Sequence, residues 1–242
     1  MKAMILAAGK GTRLKPITNS RPKALVEVNG LPLLQLLIKR LVSFGFDEII
    51  INVYHFADQI VSFLQHHNNF GIRIEISREG SLLDTGGGLK NASWFFNDDQ
   101  PFLVHNVDVL TNLDYRKLMN FHRRSRSLAS LAVRQRDTSR YLLFDTHNLL
   151  CGWQSKNTNE TILVRQTNPL KPYSFMGIHF ISPQIFSLFG QEEKFSIIRM
   201  YLQLAGQGQK ISAFPADEYD WLDVGKPEQL VSASAFLSKL KN

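Results

Sequence analysis

The residues best equipped for chemistry lie near the start of the chain, in Ile5-Leu6-Ala7-Ala8-Gly9-Lys10-Gly11-Thr12-Arg13-Leu14 and in Pro22-Lys23-Ala24-Leu25. An apolar run reads as a strand and passes into a turn carrying two glycines, the Thr12 hydroxyl and the cations of Arg13 and Lys23. Glycines at 9 and 11 permit positive φ and close approach of the backbone to a ligand. Successive N–H groups in such a turn make a concave anion site. The ligand that suits this arrangement is a nucleoside triphosphate. A P-loop is excluded, because the G-K-[S/T] that closes it is missing, and the G-x-G-x-x-G fingerprint fails at Leu14.

Four later segments carry further candidates. His105-Asn106-Val107-Asp108 sets a carboxylate just past an apolar strand, where Asp suits a turn or helix cap as well as a metal. Trp221-Leu222-Asp223-Val224-Gly225-Lys226-Pro227 supplies a second carboxylate before a helix start, with Pro in its favoured first-turn place. Leu83-Asp84-Thr85-Gly86-Gly87-Gly88-Leu89 combines two possible helix caps with three glycines, which are unfavourable there unless something approaches the backbone. Phe175-Met176-Gly177-Ile178 places a glycine inside an apolar strand.

Together these segments resemble the sugar-phosphate nucleotidyltransferases, whose signature reads L-A-A-G-x-G-T-R-L-x-P-x-T…P-K-x-L. The chain follows it from Leu6 through Pro16 and Thr18 to Pro22, Lys23 and Leu25. The resemblance implies that Leu6, Ala8, Gly9, Gly11, Thr12, Arg13, Thr85, Gly86, Gly87, Gly88 and Asn106 bind the nucleotide. It implies that Asp108 and Asp223 hold Mg²⁺, that Lys23, Lys171 and Gly177 hold the sugar phosphate, and that Arg13, Lys23 and Asp108 carry the catalysis. The chain departs from the family at Val107, where Gly or Ser precedes the Asp, at Met176, where Ser or Thr is common, and at Lys171-Pro172, which lacks the usual Glu.

The reaction implied joins a sugar 1-phosphate to a nucleoside triphosphate and releases pyrophosphate. The Thr85–Gly88 glycines resemble those of the uridylyltransferases acting on N-acetylmuramate 1-phosphate, so UTP and that sugar phosphate are the expected substrates. The alternatives are a guanylyltransferase for mannose or heptose 1-phosphate and a catalytically silent nucleotide-binding homologue.

The elements that must position these residues alternate in the first half. Strands are expected over Lys2–Leu6, Glu48–Val53, Ile72–Ile76 and Pro101–His105, and helices over Leu33–Phe44, Ala57–His67 and Gly87–Phe96. Apolar strands separated by helices predict a mostly parallel central sheet flanked by helices, a Rossmann-like α/β fold. Ligands of such sheets bind at the carboxyl ends of the strands. From Leu128 the strands shorten: Leu128–Arg134, Tyr141–Phe144, Leu149–Trp153, Thr161–Arg165 and Ser174–Ile181. Helices are expected at Pro183–Phe189, Ser196–Leu204 and Pro227–Leu240, with a strand near Ile211–Phe214. This reads as one nucleotidyltransferase domain over 1–242, with a nucleotide half to about 127 and a small sugar-side lobe beyond.

Composition narrows the class. With 44% hydrophobic and 20% charged residues, the 242-residue chain is that of an ordinary globular protein. Its longest apolar stretch, Leu31–Ile38, is far short of a membrane span. The single cysteine, Cys151, excludes an internal disulfide and a cysteine-rich zinc site. A cytoplasmic monomer or homodimer, with no membrane or nucleic-acid partner, is expected. The net charge of +7 suits polyphosphate substrates, and the basic run His122-Arg123-Arg124-Ser125-Arg126 reads as a solvated helix end. His66, His67 and His122 are expected to be solvated, and His55, His147 and His179 show no partner in the sequence.

Overall fold

The structure, a computed structural model, describes residues 1–240. Its strands are β1 (Lys2–Leu6), β2 (Glu27–Val28), β3 (Leu31–Pro32), β4 (Glu48–Val53), β5 (Arg73–Arg78), β6 (Phe102–Asn106) and β7 (Val109–Thr111). They continue as β8 (Ala129–Arg134), β9 (Arg140–Phe144), β10 (Leu150–Ser155), β11 (Thr161–Leu163), β12 (Lys171–Ile181), β13 (Ile211–Pro215) and β14 (Trp221–Asp223). The helices are α1 (Leu33–Ser43), α2 (Ala57–His66), α3 (Asp84–Asn91), α4 (Tyr115–Ser125), α5 (Ile197–Gly206) and α6 (Pro227–Leu240).

One ten-stranded sheet runs in the order β11-β10-β9-β12-β6-β1-β4-β5, with β8 beside β12 and β13 beside β8. The part of the sheet built from β6-β1-β4-β5 is entirely parallel. β12 lies antiparallel to β6, β8 and β9, so it joins that parallel part to the antiparallel β9–β11 lobe.

Two apolar layers cover the faces, and strand alternation sorts residues between them. Ala3 and Ile5 of β1, with Ile49, Ile51 and Val53 of β4, pack with Leu34, Leu37 and Ile38 of α1. Met4 and Ile50 point the other way, towards Leu89 of α3, Phe95, Phe102 and Tyr201 of α5. Asp114 starts α4 by accepting from the N–H groups of Arg116 and Lys117 at 2.8 and 3.2 Å.

Several expectations are corrected. The third helix begins at Asp84 rather than Gly87, so the three glycines lie in its first turns and not in a loop. Pro183–Leu188 is a 3-10 segment. Trp221–Asp223 forms an edge strand against β7. Its three residues are too few to show an alternation pattern in the sequence. Among the described residues no helix is long and apolar enough to cross a membrane.

Candidate functional site

The turn after β1 uses its two glycines differently. Gly11 takes the left-handed conformation at φ 63°, and a Cβ there would lie 3.0 Å from Thr18 Cγ2 and 3.1 Å from Lys23 Cβ. Its carbonyl accepts from the Leu14 N–H at 2.9 Å and the Thr18 hydroxyl at 2.8 Å, closing the Thr12–Leu14 turn on itself. Gly9 does not have positive φ, contrary to expectation, and a Cβ there would meet no atom within 4 Å. Gly9 borders a cavity of about 440 Å³, along with Leu6, Ala8, Lys23, Asn106 and Asp108.

Sheet register brings the two carboxylates together. β7 and β14 pair antiparallel with Asp223 opposite Val109, and the Val224 N–H donates to the Asp108 carbonyl at 2.8 Å. Lys23, itself buried, forms an ion pair with Asp108. Asp223 Oδ1 is buried and has no hydrogen-bond partner. Burial raises the Asp223 pKa most, the neighbouring Asp108 charge adds to this, and Lys23, Arg13 and Arg136 oppose it. Gly225 leaves room for the approach of Arg13, since a Cβ there would lie 2.9 Å from Asp223 Oδ1 and 3.1 Å from an Arg13 terminal nitrogen. Val107 sends its side chain into the core, and its N–H donates to the Leu6 carbonyl at 3.2 Å.

The segment 85–88 is approached closely, and by the chain itself. A Cβ on Gly86 would fall 2.4 Å from the Phe195 ring, and one on Gly87 would fall 2.1 Å from the Glu193 carbonyl. One on Gly88 would fall 2.7 Å from both Asn52 Nδ2 and Glu79 Oε1. The N–H groups of Gly86 and Gly87 already donate to the Phe195 carbonyl, at 2.9 and 3.2 Å. Of this segment Thr85 lines the cavity, together with Asp84, and its hydroxyl oxygen accepts from the Ile197 N–H at 3.0 Å.

A second cavity, about 1050 Å³, includes Arg13, Arg136, Arg140, Tyr141, Trp153 and Phe175 among its lining residues. Gly177 has φ 77° at an irregularity in β12, and a Cβ there would lie 2.6 Å from Asn106 Nδ2. Its function in the fold is therefore to let Asn106 approach. Lys171 opens β12 opposite Phe144, is exposed, and lines neither cavity.

Sequence reasoning passed over four residues at these cavities. Asn52 accepts from the Ala7 N–H at 2.8 Å and donates to Glu79 Oε1 at 2.7 Å, and Glu79 Oε2 accepts from the Leu83 N–H at 3.0 Å. Burial raises the Glu79 pKa. Asn52 was legible as the one polar residue near the carboxyl end of an apolar strand; Glu79, Lys194 and Arg136 had no comparable signal.

The histidines also differ from expectation. His122 is buried: Ser182 donates to the Ser127 carbonyl, so His122 Nε2–H donates to Ser182 and Nδ1 accepts from Ser130. His179 meets the Tyr201 hydroxyl at 2.7 Å. His105 Nδ1 donates to the Asn106 carbonyl at 2.8 Å and Nε2 accepts from Tyr115 at 3.0 Å.

Comparison with known proteins identifies the family. The family described as Nucleotidyl transferase matches residues 2–239. The chain is 31% identical to a UTP–glucose-1-phosphate uridylyltransferase of Synechocystis sp., over the whole of this chain and 65% of that protein. It is 30% identical to an N-acetylmuramate alpha-1-phosphate uridylyltransferase of Caulobacter vibrioides, over 98% of this chain and 97% of that protein. The crystal structure of HddC from Yersinia pseudotuberculosis superposes with a TM-score of 0.77 at 25% identity, covering 98% of this chain and 99% of that one. The chain thus spans about two thirds of the Synechocystis protein and nearly all of the Caulobacter one, and it belongs to the nucleotidyl transferase family.

Proposed function

We propose that the protein is one nucleotidyltransferase domain that transfers a nucleotidyl group from UTP to N-acetylmuramate 1-phosphate, giving the nucleotide sugar and pyrophosphate. The observation that carries the reading is the convergence of Asp108, Asp223, Lys23 and Arg13 beside the Gly9 turn. The uridylyl preference is supported by the two uridylyltransferase relatives, and the sugar by the Caulobacter protein, which this chain matches over nearly its full length.

A sugar phosphate has its second pKa near ~6, so its oxygen is already ionised at neutral pH and no general base is required. That oxygen attacks the α-phosphorus in line. A new phosphorus–oxygen bond forms, the α–β bridging bond breaks, and pyrophosphate leaves with the electron pair. Bringing two anions together and stabilising the leaving group are the obstacles, so positioning and cationic charge dominate. The Gly9–Gly11 turn and Thr12 receive the triphosphate. Arg13 offsets charge on the leaving group through its fork of donors. Lys23 leaves Asp108 to lie between the α-phosphate and the incoming phosphate. Thr85 and Asn106 border the nucleotide.

Mg²⁺ fits Asp108 and Asp223. Two carboxylates plus substrate phosphates are its usual protein share, and Asp223 Oδ1 is a buried acceptor without a donor. When bound, the ion supplies Lewis-acid charge stabilisation of the phosphates. The setting is the cytoplasm and the protein a monomer or homodimer.

The test is a matrix of nucleoside triphosphates against sugar 1-phosphates, with and without Mg²⁺, read by pyrophosphate release. The reading expects metal-dependent turnover, fastest with UTP and N-acetylmuramate 1-phosphate. Faster turnover with GTP and mannose or heptose 1-phosphate makes it a guanylyltransferase. Triphosphate binding with no turnover in any pairing makes it a silent homologue.

A further inference from the structure

The family resemblance assigns a lysine to the sugar phosphate, yet Lys171 stands away from both cavities. Arg136 lies where that charge is needed. It lies two residues past the end of β8 and lines the second cavity with Arg13.

Two contacts hold its guanidinium still. Nε donates to the hydroxyl of Ser174, a buried residue of β12, at 2.8 Å, and the guanidinium carbon stands 4.5 Å from the centre of the Trp221 ring. That ring is anchored in turn, because Trp221 Nε1 donates to the Met176 carbonyl at 2.9 Å. Trp221 and Asp223 are two apart on β14 and so face the same side of the strand, which places Arg136 within the field that acts on Asp223.

The remaining donors of Arg136 are unengaged. Among the described residues it makes no ion pair, and its only hydrogen bond is through Nε. A guanidinium stacked on an aromatic ring with its outer nitrogens free presents a fixed fork to a phosphate. The other cations of this cavity are less suited. Arg136, Arg199 and Arg140 are all exposed, so anchoring separates them: Arg199 is paired with Glu192 at 3.2 Å, and among the described residues the Arg140 side chain has neither the hydrogen bond nor the ring contact that Arg136 has. Arg13 is the other cation facing Asp223 from this cavity.

We propose that Arg136 is the residue that grips the phosphate of the sugar substrate, taking the role that the sequence pattern gives to Lys171. Its fork binds the two non-attacking oxygens of the phosphomonoester, leaving the third free to face the α-phosphorus. Ser174 and Trp221 are positioning residues that act through it. The inference rests on the nucleotidyl-transfer reading given above.

The experiment compares Arg136→Gln, Arg136→Lys and Lys171→Gln with the wild type, using N-acetylmuramate 1-phosphate and glucose 1-phosphate as probes. Loss of a charge-assisted contact raises the sugar-phosphate KM about 10- to 100-fold in Arg136→Gln. The nucleoside triphosphate KM is expected to move by less than roughly threefold on the same scale. Arg136→Lys recovers part of the loss, and Lys171→Gln matches the wild type. An unchanged sugar-phosphate KM in Arg136→Gln, or a rise in Lys171→Gln alone, overturns the assignment. If the wild type turns over no sugar 1-phosphate, the functional reading fails, and calorimetry with inorganic phosphate decides the role of Arg136 separately. Weaker phosphate binding by Arg136→Gln and Arg136→Lys then upholds the grip. Equal binding, or none by the wild type, overturns it. Melting curves of the variants separate loss of contact from loss of fold, and where Arg136→Gln is unfolded, the Arg136→Lys values decide.

Discussion

Lys23 and Asp108, 85 positions apart, form a partly buried ion pair in the lining of the cavity of about 440 Å³ beside Gly9. The ammonium neutralises one carboxylate of the acidic pair and leaves the buried Oδ1 of half-buried Asp223 without a partner. A cation entering between the two carboxylates therefore competes with Lys23 for Asp108. Lys23→Ala is expected to cut turnover by about 100-fold or more, as loss of one charge stabiliser does. The same variant is expected to bind Mn²⁺ more tightly than the wild type in the absence of nucleotide. Pyrophosphate release and Mn²⁺ titration read the two effects, and weaker Mn²⁺ binding in the variant counts against the competition.

Asp223 separates function from stability. Its buried Oδ1 lacks a donor, and burial disfavours its charged form. Asp223→Asn removes that charge, so the melting temperature is expected to hold or rise while turnover falls by orders of magnitude. Wild-type turnover in this variant removes Asp223 from the reaction.

Glycines 9 and 87 predict opposite outcomes. A Cβ on Gly87 runs into the Glu193 carbonyl, so Gly87→Ala is expected to destabilise the fold by about 1–3 kcal/mol, as overpacking does. A Cβ on Gly9 meets no protein atom, so Gly9→Ala is expected to change stability by no more than about 0.5 kcal/mol. Because Gly9 borders the cavity, the same change is expected to weaken triphosphate binding. Denaturant unfolding and calorimetry on both variants check the pair.

Buried histidines set an acid limit. Burial holds His122 down to about 4 and His179 to about 3, with Arg123 and His105 charge adding to the depression. Below the unfolded value near 6.5 the unfolded chain binds protons that the folded one refuses. Their stabilisation is thus complete above pH 6.5 and falls as pH drops towards the folded values. Each contributes a loss of about 1.4 kcal/mol per pH unit in that window. Denaturant midpoints at pH 7, 6 and 5 are expected to decrease stepwise, and His122→Gln to flatten the slope. A midpoint independent of pH from 7 to 5 contradicts the buried, neutral state.

Sequence by itself determined the alternating first half, because apolar runs broken by amphipathic helices admit few arrangements other than a covered parallel sheet. It also determined the family, because the signature from Leu6 to Leu25 depends on residue types at fixed short spacings. It could not decide what approaches Gly86–Gly88, since a missing side chain makes room equally for a ligand or for Phe195, Glu193 and Asn52. Nor could it show that His122 is buried, because the two serines that satisfy it come from β8 and the end of β12. The meeting of Asp108 with Asp223 depends on a three-residue edge strand whose register only pairing with β7 defines. Arg136 and Lys171 are alike in sequence as cations beside the short strands of the second half. Only the tertiary structure distinguishes them, because a charge acts through its distance and anchoring, and those are properties of the packed chain.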